Sequence, residues 1–449
     1  MDRVKKAIDI IKKDGYNGLL RVVHKLTKNH DRPVQTLDAL NLIAALDFSL
    51  DDLEHNRQII SGFEKKRIEI KSINWFIPYF LHAYYGGIYT IFRFANFFAT
   101  EKGIKTRLVL YDNPYITEEE IKSKIRETFP RLSEEEVYIY KGPDVNVIPY
   151  ADISIATLWT SAYQVMKFRN TLGKFYFIQD YEPLFYPAGS YYALSEATYR
   201  FGFHGIVNTP GLYDFVTNKY EMIAEYFIPA VDRHIFFPKE NPDIFMSPHG
   251  AKDNRNNPPS PPFIKGGKGG LSGEKGENIK LFLYGRPHHE RNAFELALAT
   301  SKKIKALLGD RLEIVSAGSE WDAKVYGVKG VIENLGLLGY KETASLYRTC
   351  DFGLILMFTK HPSYIPMELM ASGSIVITNY NNANTWLLKN RENCLVVEPL
   401  PTYISEKLLS LISDKNLQKN IRDNALKTVS SFDWNSQMEK IYSFITGKS

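Results

Sequence analysis

The chain has 449 residues, of which 44% are hydrophobic and 24% charged, and its formal net charge is +5. This length exceeds what one hydrophobic core usually supports, so we expect two domains, and the composition excludes a disordered or fibrous chain. The two cysteines, Cys350 and Cys394, exclude a disulfide framework and have no metal-ligand spacing; they indicate a reducing, cytoplasmic location.

Residues 1–30 hold the whole charge excess, with eight Lys or Arg and three Asp, so the rest of the chain is balanced and nucleic acid is not an expected partner. The segment lacks the long apolar run of a signal peptide. Val4, Ile8 and Ile11 recur at helical spacing beside these charges. Two interpretations stay open: a basic helix that makes peripheral contact with an anionic membrane, or a helix that packs on the body with a solvated charged face.

Residues 1–70 are predicted to form a helical N-terminal extension. No charged residue occurs from Ile73 to Phe92, but Asn74, Pro78 and a glycine pair interrupt this stretch. It therefore predicts a buried strand, a glycine turn and a helix rather than a membrane span. Further strand patterns follow, and residues 71–240 are predicted to form a Rossmann-like domain.

The composition changes again at residues 241–278, where Pro, Gly, Ser and Lys dominate and predict a flexible insertion or linker. Alternating strand and helix patterns then predict a second Rossmann-like domain at 279–430, followed by a C-terminal helix at 431–449. The fold class is α/β, with two doubly wound domains that place a ligand in the cleft between the carboxyl ends of their sheets.

The strongest functional signal is His361–Thr378, where a polar turn leads into a helix that carries Glu368, and Gly373 precedes a buried strand. Backbone N–H groups at a helix N-terminus suit a diphosphate, and an acidic side chain on that helix can accept hydrogen bonds from ribose hydroxyls. The residues expected to offer these N–H groups are Ser363, Tyr364 and Ile365.

This segment resembles glycosyltransferase family 4, whose retaining, nucleotide-sugar-dependent members have the GT-B fold. The family pattern is E-x7-E-A-M-A-x-G-x-P-V, and Glu368-Leu369-Met370-Ala371-Ser372-Gly373 is similar to its second half. The resemblance places Lys360 at the donor site, where the family has a Glu that contacts the donor sugar. This departure argues against an ordinary glucose or mannose donor.

A second segment, Leu281–Leu298, has a strand that ends at Gly285, followed by Arg286 and Arg291. The family typically carries a Gly-Arg pair and a downstream cation at this place. The resemblance therefore implies that the glycine lies at the donor and that both arginines neutralise its phosphates. Arginine suits this role because its planar fork matches phosphate oxygens while negative charge gathers on the leaving group. We expect no metal site, since these cations take the place of a metal.

Two further segments are expected to line the cleft. The turn Gly86-Gly87 follows the first strand, and the resemblance places it against the donor. The strand that ends at Gln179 delivers Asp180, Tyr181 and Glu182 at its carboxyl end. Asp180 is expected near the reacting sugar, although a loop-capping role is an open alternative. The aromatic surroundings of Tyr181 and Glu182 suggest an acceptor platform.

The resemblance as a whole implies a hexosyltransferase of cell-surface polysaccharide synthesis that uses a nucleotide-diphosphate sugar as substrate and needs no cofactor. The segments GGIYTIFRF and YFIQDYEPLFYPAGS are similar to those of bacterial rhamnosyltransferases, which makes dTDP-rhamnose the leading donor and a glycan or lipid-linked glycan the expected acceptor. Two alternatives remain: a non-catalytic GT-B member of an assembly complex, and a GT-B nucleotide-sugar epimerase.

Overall fold

The computed structural model describes residues 32–64, 69–84, 86–239 and 278–447. The predicted basic helix and nearly all of the predicted linker lie outside these residues. Two helices, α1 (Arg32–Leu46) and α2 (Leu50–Glu64), precede the first sheet. None of the helices in the described ranges is both long and apolar enough to cross a bilayer.

The first domain is built on a parallel seven-stranded sheet with the order β3-β2-β1-β4-β5-β6-β7. Its strands are β1 (Ser72–Ile77), β2 (Lys105–Leu110), β3 (Glu136–Ile139), β4 (Ala151–Ala156), β5 (Thr171–Ile178), β6 (His204–Asn208) and β7 (Ala224–Phe227). Its helices are α3 (Gly86–Thr100), α4 (Glu118–Arg126), α5 (Trp159–Lys167), α6 (Ser190–Ala197) and α7 (Pro210–Tyr220).

The second domain is built on a parallel six-stranded sheet with the order β10-β9-β8-β11-β12-β13. Its strands are β8 (Ile279–Tyr284), β9 (Leu312–Ala317), β10 (Glu333–Asn334), β11 (Phe352–Leu354), β12 (Ile375–Asn379) and β13 (Leu395–Val397). The helices that follow are α8 (Phe294–Leu308), α9 (Tyr340–Tyr347), α10 (Ile365–Ala371), α11 (Pro401–Ser413), α12 (Lys415–Ser430) and α13 (Trp434–Thr446).

Near-continuous apolar runs form these strands because helices cover both faces of each sheet. Successive side chains point to opposite faces, so Trp75 and Phe177 pack in one core layer of the first domain while Phe76 and Tyr176 pack in the other. This arrangement confirms the predicted pair of doubly wound domains. The helical N-terminal segment packs onto the first of them, where the ring of Phe63 fills the space above Gly173.

The chain crosses between the domains twice. Val231 and Phe236, just after the last strand of the first sheet, are buried in the core of the second domain. Conversely, α13 returns to the first domain, where its buried residues Met438, Ile441 and Ile445 join that core. The core of each domain therefore includes a segment whose neighbours in sequence belong to the other domain.

Candidate active site

The carboxyl ends of the two sheets face each other, and several side chains connect the domains there. The Tyr364 hydroxyl, at the start of α10, lies 2.8 Å from the Thr90 hydroxyl and accepts a hydrogen bond from the Asn208 amide at 3.0 Å. On the same side, Asp180 at the end of β5 faces Arg291 of the second domain. These contacts close the cleft around the predicted site residues.

The glycine turn before α3 has two separate requirements for glycine. Gly86 has φ = +45°, in the left-handed region that favours glycine. A Cβ on Gly87 would lie 2.8 Å from the side-chain nitrogen of Gln179, which donates a hydrogen bond to the Gly87 carbonyl at 3.0 Å. The turn is thus fixed directly against the end of β5.

Asp180 and Arg291 form an ion pair across the cleft, with 3.7 Å between the Asp180 Oδ2 and the Arg291 Nε. Burial raises the pKa of Asp180 to about 6, although Arg291 and the Tyr181 backbone N–H act in the opposite direction. The Arg291 guanidinium also lies 4.4 Å from the centre of the Phe185 ring. Arg291 is therefore held at the cleft by contacts with the first domain.

Arg286 lies close enough to Arg291 that the two guanidiniums repel, and burial together with this repulsion lowers the pKa of Arg291. The Arg286 Nε is buried and has no hydrogen-bond partner among the described residues. The residue before Arg286, Gly285, has no room for a side chain, because a Cβ there would lie 2.0 Å from the Ser316 hydroxyl. The structure thus brings Gly285, Arg286 and Arg291 together as a cationic pocket with one carboxylate, Asp180, beside it.

His361 adds a donor to this pocket that the sequence analysis did not single out. Its Nδ1 accepts a hydrogen bond from the Ser363 backbone N–H at 2.9 Å, so the neutral ring must carry its proton on Nε2. Burial, helped by the nearby charge of Arg291, lowers the pKa of His361 to about 3. The buried Nε2–H has no partner in the part of the chain that the structure describes.

The remaining donor-site residues occupy the turn before α10. Ser363 has φ = +65°, in the left-handed region that favours glycine, and its backbone N–H already donates to His361. Lys360 extends its ammonium group to 5.1 Å from the centre of the Phe215 ring on the first domain. Tyr364 and Ile365 begin the helix as predicted.

Glu368 lies beside the ion pair between Arg93 and Asp232, whose side-chain atoms are 2.8 Å apart. The hydroxyl groups of Tyr89 and Tyr340 each donate a hydrogen bond of 3.0 Å to Asp232. Burial and the charge of Asp232 raise the pKa of Glu368 to about 8. The adjoining cavity of about 20 Å³ has room for a single water molecule. This cavity is too small for a ribose, and the contact of Glu368 with a ribose stays a prediction.

Tyr181 and Glu182 are buried in the first domain, with exposed fractions of 2% and 3%, and do not form an exposed platform. The Tyr181 hydroxyl bonds to Tyr220 and to Glu196. Glu182 accepts hydrogen bonds from the Trp159 backbone N–H and from a tyrosine hydroxyl. Both side chains stabilise the end of β5, and their predicted contact with an acceptor has no surface available here.

Comparison with known proteins matches both domains. Residues 72–209 match WsaF, N-terminal domain, and residues 279–409 match WsaF, C-terminal domain. These two matches account for more than half of the chain and include every strand of its two sheets except β7. The chain belongs to the WsaF family. The WsaF matches stop before α12 and α13 and do not include α1 and α2.

One curated relative is the O-antigen biosynthesis protein RfbC of Myxococcus xanthus, which is 39% identical to this WsaF-family chain over 404 residues. The match covers 89% of this chain and 29% of RfbC, so the chain spans less than a third of that relative's length.

Solved structures of similar fold include sucrose-phosphate synthase from Thermosynechococcus elongatus, with a TM-score of 0.58 and 11% identity. HepE from Anabaena, in complex with UDP and glucose, also has a TM-score of 0.58, with 10% identity. Each similarity covers 84% of the WsaF-family chain and 100% of the other chain. At such low identity these similarities concern the fold alone, and the fold is GT-B.

Proposed function

We propose that this chain is a glycosyltransferase that moves a sugar from a nucleotide-diphosphate donor to a glycan in the synthesis of a cell-surface polysaccharide. The observation that carries the proposal is the pocket of Arg286, Arg291 and His361. It combines two close guanidiniums, one neighbouring carboxylate and two buried nitrogens without partners. Such a pocket needs an anion, and a diphosphate supplies both the charge and the hydrogen-bond acceptors.

Each residue of the pocket has a definite task in this proposal. Arg286 and Arg291 stabilise the negative charge that develops on the departing nucleoside diphosphate. The His361 Nε2–H and the backbone N–H groups of Tyr364 and Ile365 donate hydrogen bonds to phosphate oxygens. Because the donors are fixed before the reaction, they need little reorganisation when the sugar–phosphate bond breaks.

The proposed reaction retains the configuration of the transferred sugar. The acceptor hydroxyl attacks from the face that the phosphate leaves, and the departing phosphate oxygen takes its proton, so a strong protein base is not required. Asp180, at the cleft, is proposed to contact the sugar or the acceptor. Nuclear magnetic resonance of the product tests this step, because an inverted anomeric configuration would contradict it.

The identity of the donor sugar and of the product glycan is a more specific part of the proposal. The RfbC relative is an O-antigen biosynthesis protein, and HepE binds UDP and glucose, which supports a nucleotide-sugar donor and a surface glycan product. Rhamnose from dTDP-rhamnose is the leading donor because the segments GGIYTIFRF and YFIQDYEPLFYPAGS are similar to those of bacterial rhamnosyltransferases. Lys360, at the place where glycosyltransferase family 4 has a sugar-contacting Glu, argues against glucose or mannose. Glu368 is proposed to bind the ribose or deoxyribose once the domains separate at its cavity.

A panel of UDP, GDP, ADP and dTDP, measured by thermal shift without added metal, tests donor binding. A nucleotide at about 100 times its Kd stabilises the folded state by about 2.7 kcal/mol, which is readily detected. Arg286→Ala should abolish the thermal shift. Arg126→Ala, which removes an exposed arginine on α4, should leave the shift unchanged. Absence of any shift in the folded wild-type protein would contradict the proposal.

The alternative is a non-catalytic GT-B protein that binds its ligand within a glycan-assembly complex. One observation supports it: Lys360 stands where glycosyltransferase family 4 has a Glu. Slow hydrolysis of the bound nucleotide sugar without an acceptor distinguishes the two, because a scaffold binds the donor but does not cleave it. An epimerase would instead convert the free nucleotide sugar into its epimer without releasing the nucleotide.

A further inference from the structure

The loops after three neighbouring strands of the second sheet each carry an aromatic side chain. Phe358 follows β11 and is 43% exposed, and Tyr380 follows β12 and is 66% exposed. Tyr403 lies in the first turn of α11, just after β13. Since these strands are parallel neighbours about 4.8 Å apart, the three residues follow adjacent carboxyl ends along one edge of the sheet.

This row of aromatic residues begins at the cationic pocket and ends at a separate cavity. The Phe358 backbone N–H donates to the Arg291 carbonyl at 2.9 Å, which fixes the near end. The cavity at the far end has a volume of about 420 Å³, and none of its lining residues belongs to the cationic pocket. Its size is within the range of about 300 to 1,000 Å³ typical of sites for small ligands.

Buried amides hold the row in place. Asn379 exchanges two hydrogen bonds with the Met357 backbone, and the Asn381 amide donates to the carbonyls of Met357 and Thr359. These bonds join the loop after β11 to the loop after β12. Because the loops are fixed by these bonds, a ligand that stacks on the rings pays little to order them.

The cavity lining combines flat apolar rings with hydrogen-bonding groups of both charge signs. Tyr380 and Tyr403 provide the rings, and the polar groups are those of Thr385, Lys389, Asn390 and Glu398. One lysine and one glutamate give no net charge, which disfavours a phosphate or a nucleic acid. Sugars fit this lining because their C–H faces pack on aromatic rings while their hydroxyls both donate and accept hydrogen bonds.

We propose that this cavity binds internal sugar units of the acceptor glycan, while the end of that glycan lies at the cationic pocket. The row from Phe358 to Tyr403 then guides the chain between the two sites. The inference rests on the proposed function in that its ligand is the acceptor of the proposed transfer, but sugar binding at the cavity can be measured without any transfer.

Saturation-transfer nuclear magnetic resonance with unlabelled tetrasaccharides of rhamnose, mannose, glucose and galactose tests the proposal on the full chain. Wild-type protein should bind at least one of them. The double variant Tyr380→Ala with Tyr403→Ala should weaken that binding by about tenfold, the loss expected for two aromatic contacts. Tyr115→Ala removes a tyrosine that is 76% exposed on the first domain and should leave binding unchanged.

Binding of none of the tetrasaccharides, or equal binding by wild type and the double variant, would overturn the proposal. Because Tyr380 is largely exposed, Tyr380→Ala alone preserves the fold and carries the test if the double variant misfolds. The nucleotide panel is measured in parallel on each variant. In the double variant, a normal nucleotide shift with lost sugar binding supports the cavity proposal. Wild-type protein that binds a tetrasaccharide but shows no nucleotide shift contradicts only the proposed function.

Discussion

At the scale of single residues, the protonation of His361 follows from one hydrogen bond. The Ser363 N–H occupies Nδ1, and burial beside Arg291 disfavours a second proton on the ring. A histidine with an ordinary pKa near 6.5 would change charge close to neutral pH. His361, with a pKa of about 3, stays neutral and serves as a donor of fixed direction.

We therefore expect nitrogen nuclear magnetic resonance to show His361 as the neutral Nε2–H tautomer throughout pH 5 to 8. His361→Asn preserves an acceptor for Ser363 but loses the Nε2–H, so nucleotide-diphosphate affinity should fall about tenfold, the effect of one hydrogen bond to a charged group. A charge change of His361 between pH 5 and 8 would contradict this assignment.

Glu182 is a second buried group whose ionisation affects stability. Burial raises its pKa to about 8, although the Tyr176 hydroxyl and the Trp159 N–H donate to it. In the unfolded chain a glutamate has a pKa of about 4.3. Between these values the folded state binds the extra proton, so this contribution to stability is complete below about pH 4.3 and is lost as the pH rises through about 8.

Replacing Glu182 with Gln removes the titrating group while its side-chain oxygen can still accept both hydrogen bonds. The free energy of unfolding of the variant, relative to wild type, should be higher at pH 8 than at pH 5 by about 1 kcal/mol or more. Urea unfolding at the two pH values measures this difference. Other carboxyl groups whose pKa is raised by burial, such as Asp112, contribute equally to both proteins, so their effects cancel in this difference. If the free energy of unfolding of the variant differed from that of wild type by the same amount at both pH values, the predicted contribution of Glu182 would be refuted.

At the scale of elements, the strands were the most predictable part of the chain. Buried apolar runs such as Ser72–Phe80 and Lys174–Gln179 became β1 and β5 with shifts of a few residues, because a strand covered on both faces leaves a local signal. Residues Gly330–Gly336 also have an apolar pattern that predicts a strand, but only Glu333–Asn334 form one, the two-residue β10 at the edge of the sheet. At an edge, pairing with one neighbour decides how far a strand extends.

The site was less predictable than the strands because its geometry depends on pieces distant in sequence. The end of β5 predicts Asp180 as a site residue and the family resemblance predicts Arg291, but the pairing of the two needs both domains. Glu182 follows Asp180 by two residues and turns inward to Trp159, which no local pattern indicates. His361 was missed as a single residue, although the turn that contains it was recognised.

The end of β8 offers a test of an element-scale requirement. A Cβ on Gly285 would lie 2.0 Å from the Ser316 Oγ and 2.6 Å from the Trp321 Nε1, so Gly285→Ala must push β8 away from β9 or displace the indole. We expect a loss of about 1 to 3 kcal/mol in the free energy of unfolding. Gly142→Ala is the control, because a Cβ there meets nothing within 4 Å. Similar melting temperatures for both variants would contradict this expectation.

At the scale of the whole molecule, the two domains approach each other closely at Gly211, in the first turn of α7. A Cβ there would lie 1.7 Å from the Ala383 carbonyl oxygen, in the short turn Asn382–Asn384 after β12. No side chain fits between these two backbones. The closed cleft thus depends on a glycine that the fold of the first domain alone does not need.

Gly211→Ala should therefore separate the domains while each stays folded. Small-angle X-ray scattering should show a larger radius of gyration, and the nucleotide-diphosphate affinity should fall because Asp180 and Tyr364 lose their partners across the cleft. Gly62→Ala is a matched control, since Gly62 is also helical and its Cβ would meet nothing within 4 Å. An unchanged radius of gyration in Gly211→Ala would show that the contact can adjust locally.

The double crossing of the chain has a consequence for a protein made in two pieces. A break anywhere in residues 240–277 yields two polypeptides. The first contains the first domain and carries Val231 and Phe236 near its C-terminus, and the second contains the second domain and α13. Each polypeptide then carries a segment that packs into the hydrophobic core of the other polypeptide. The two pieces, expressed separately and mixed, should assemble into a heterodimer that reconstitutes nucleotide binding, and neither should be stable alone.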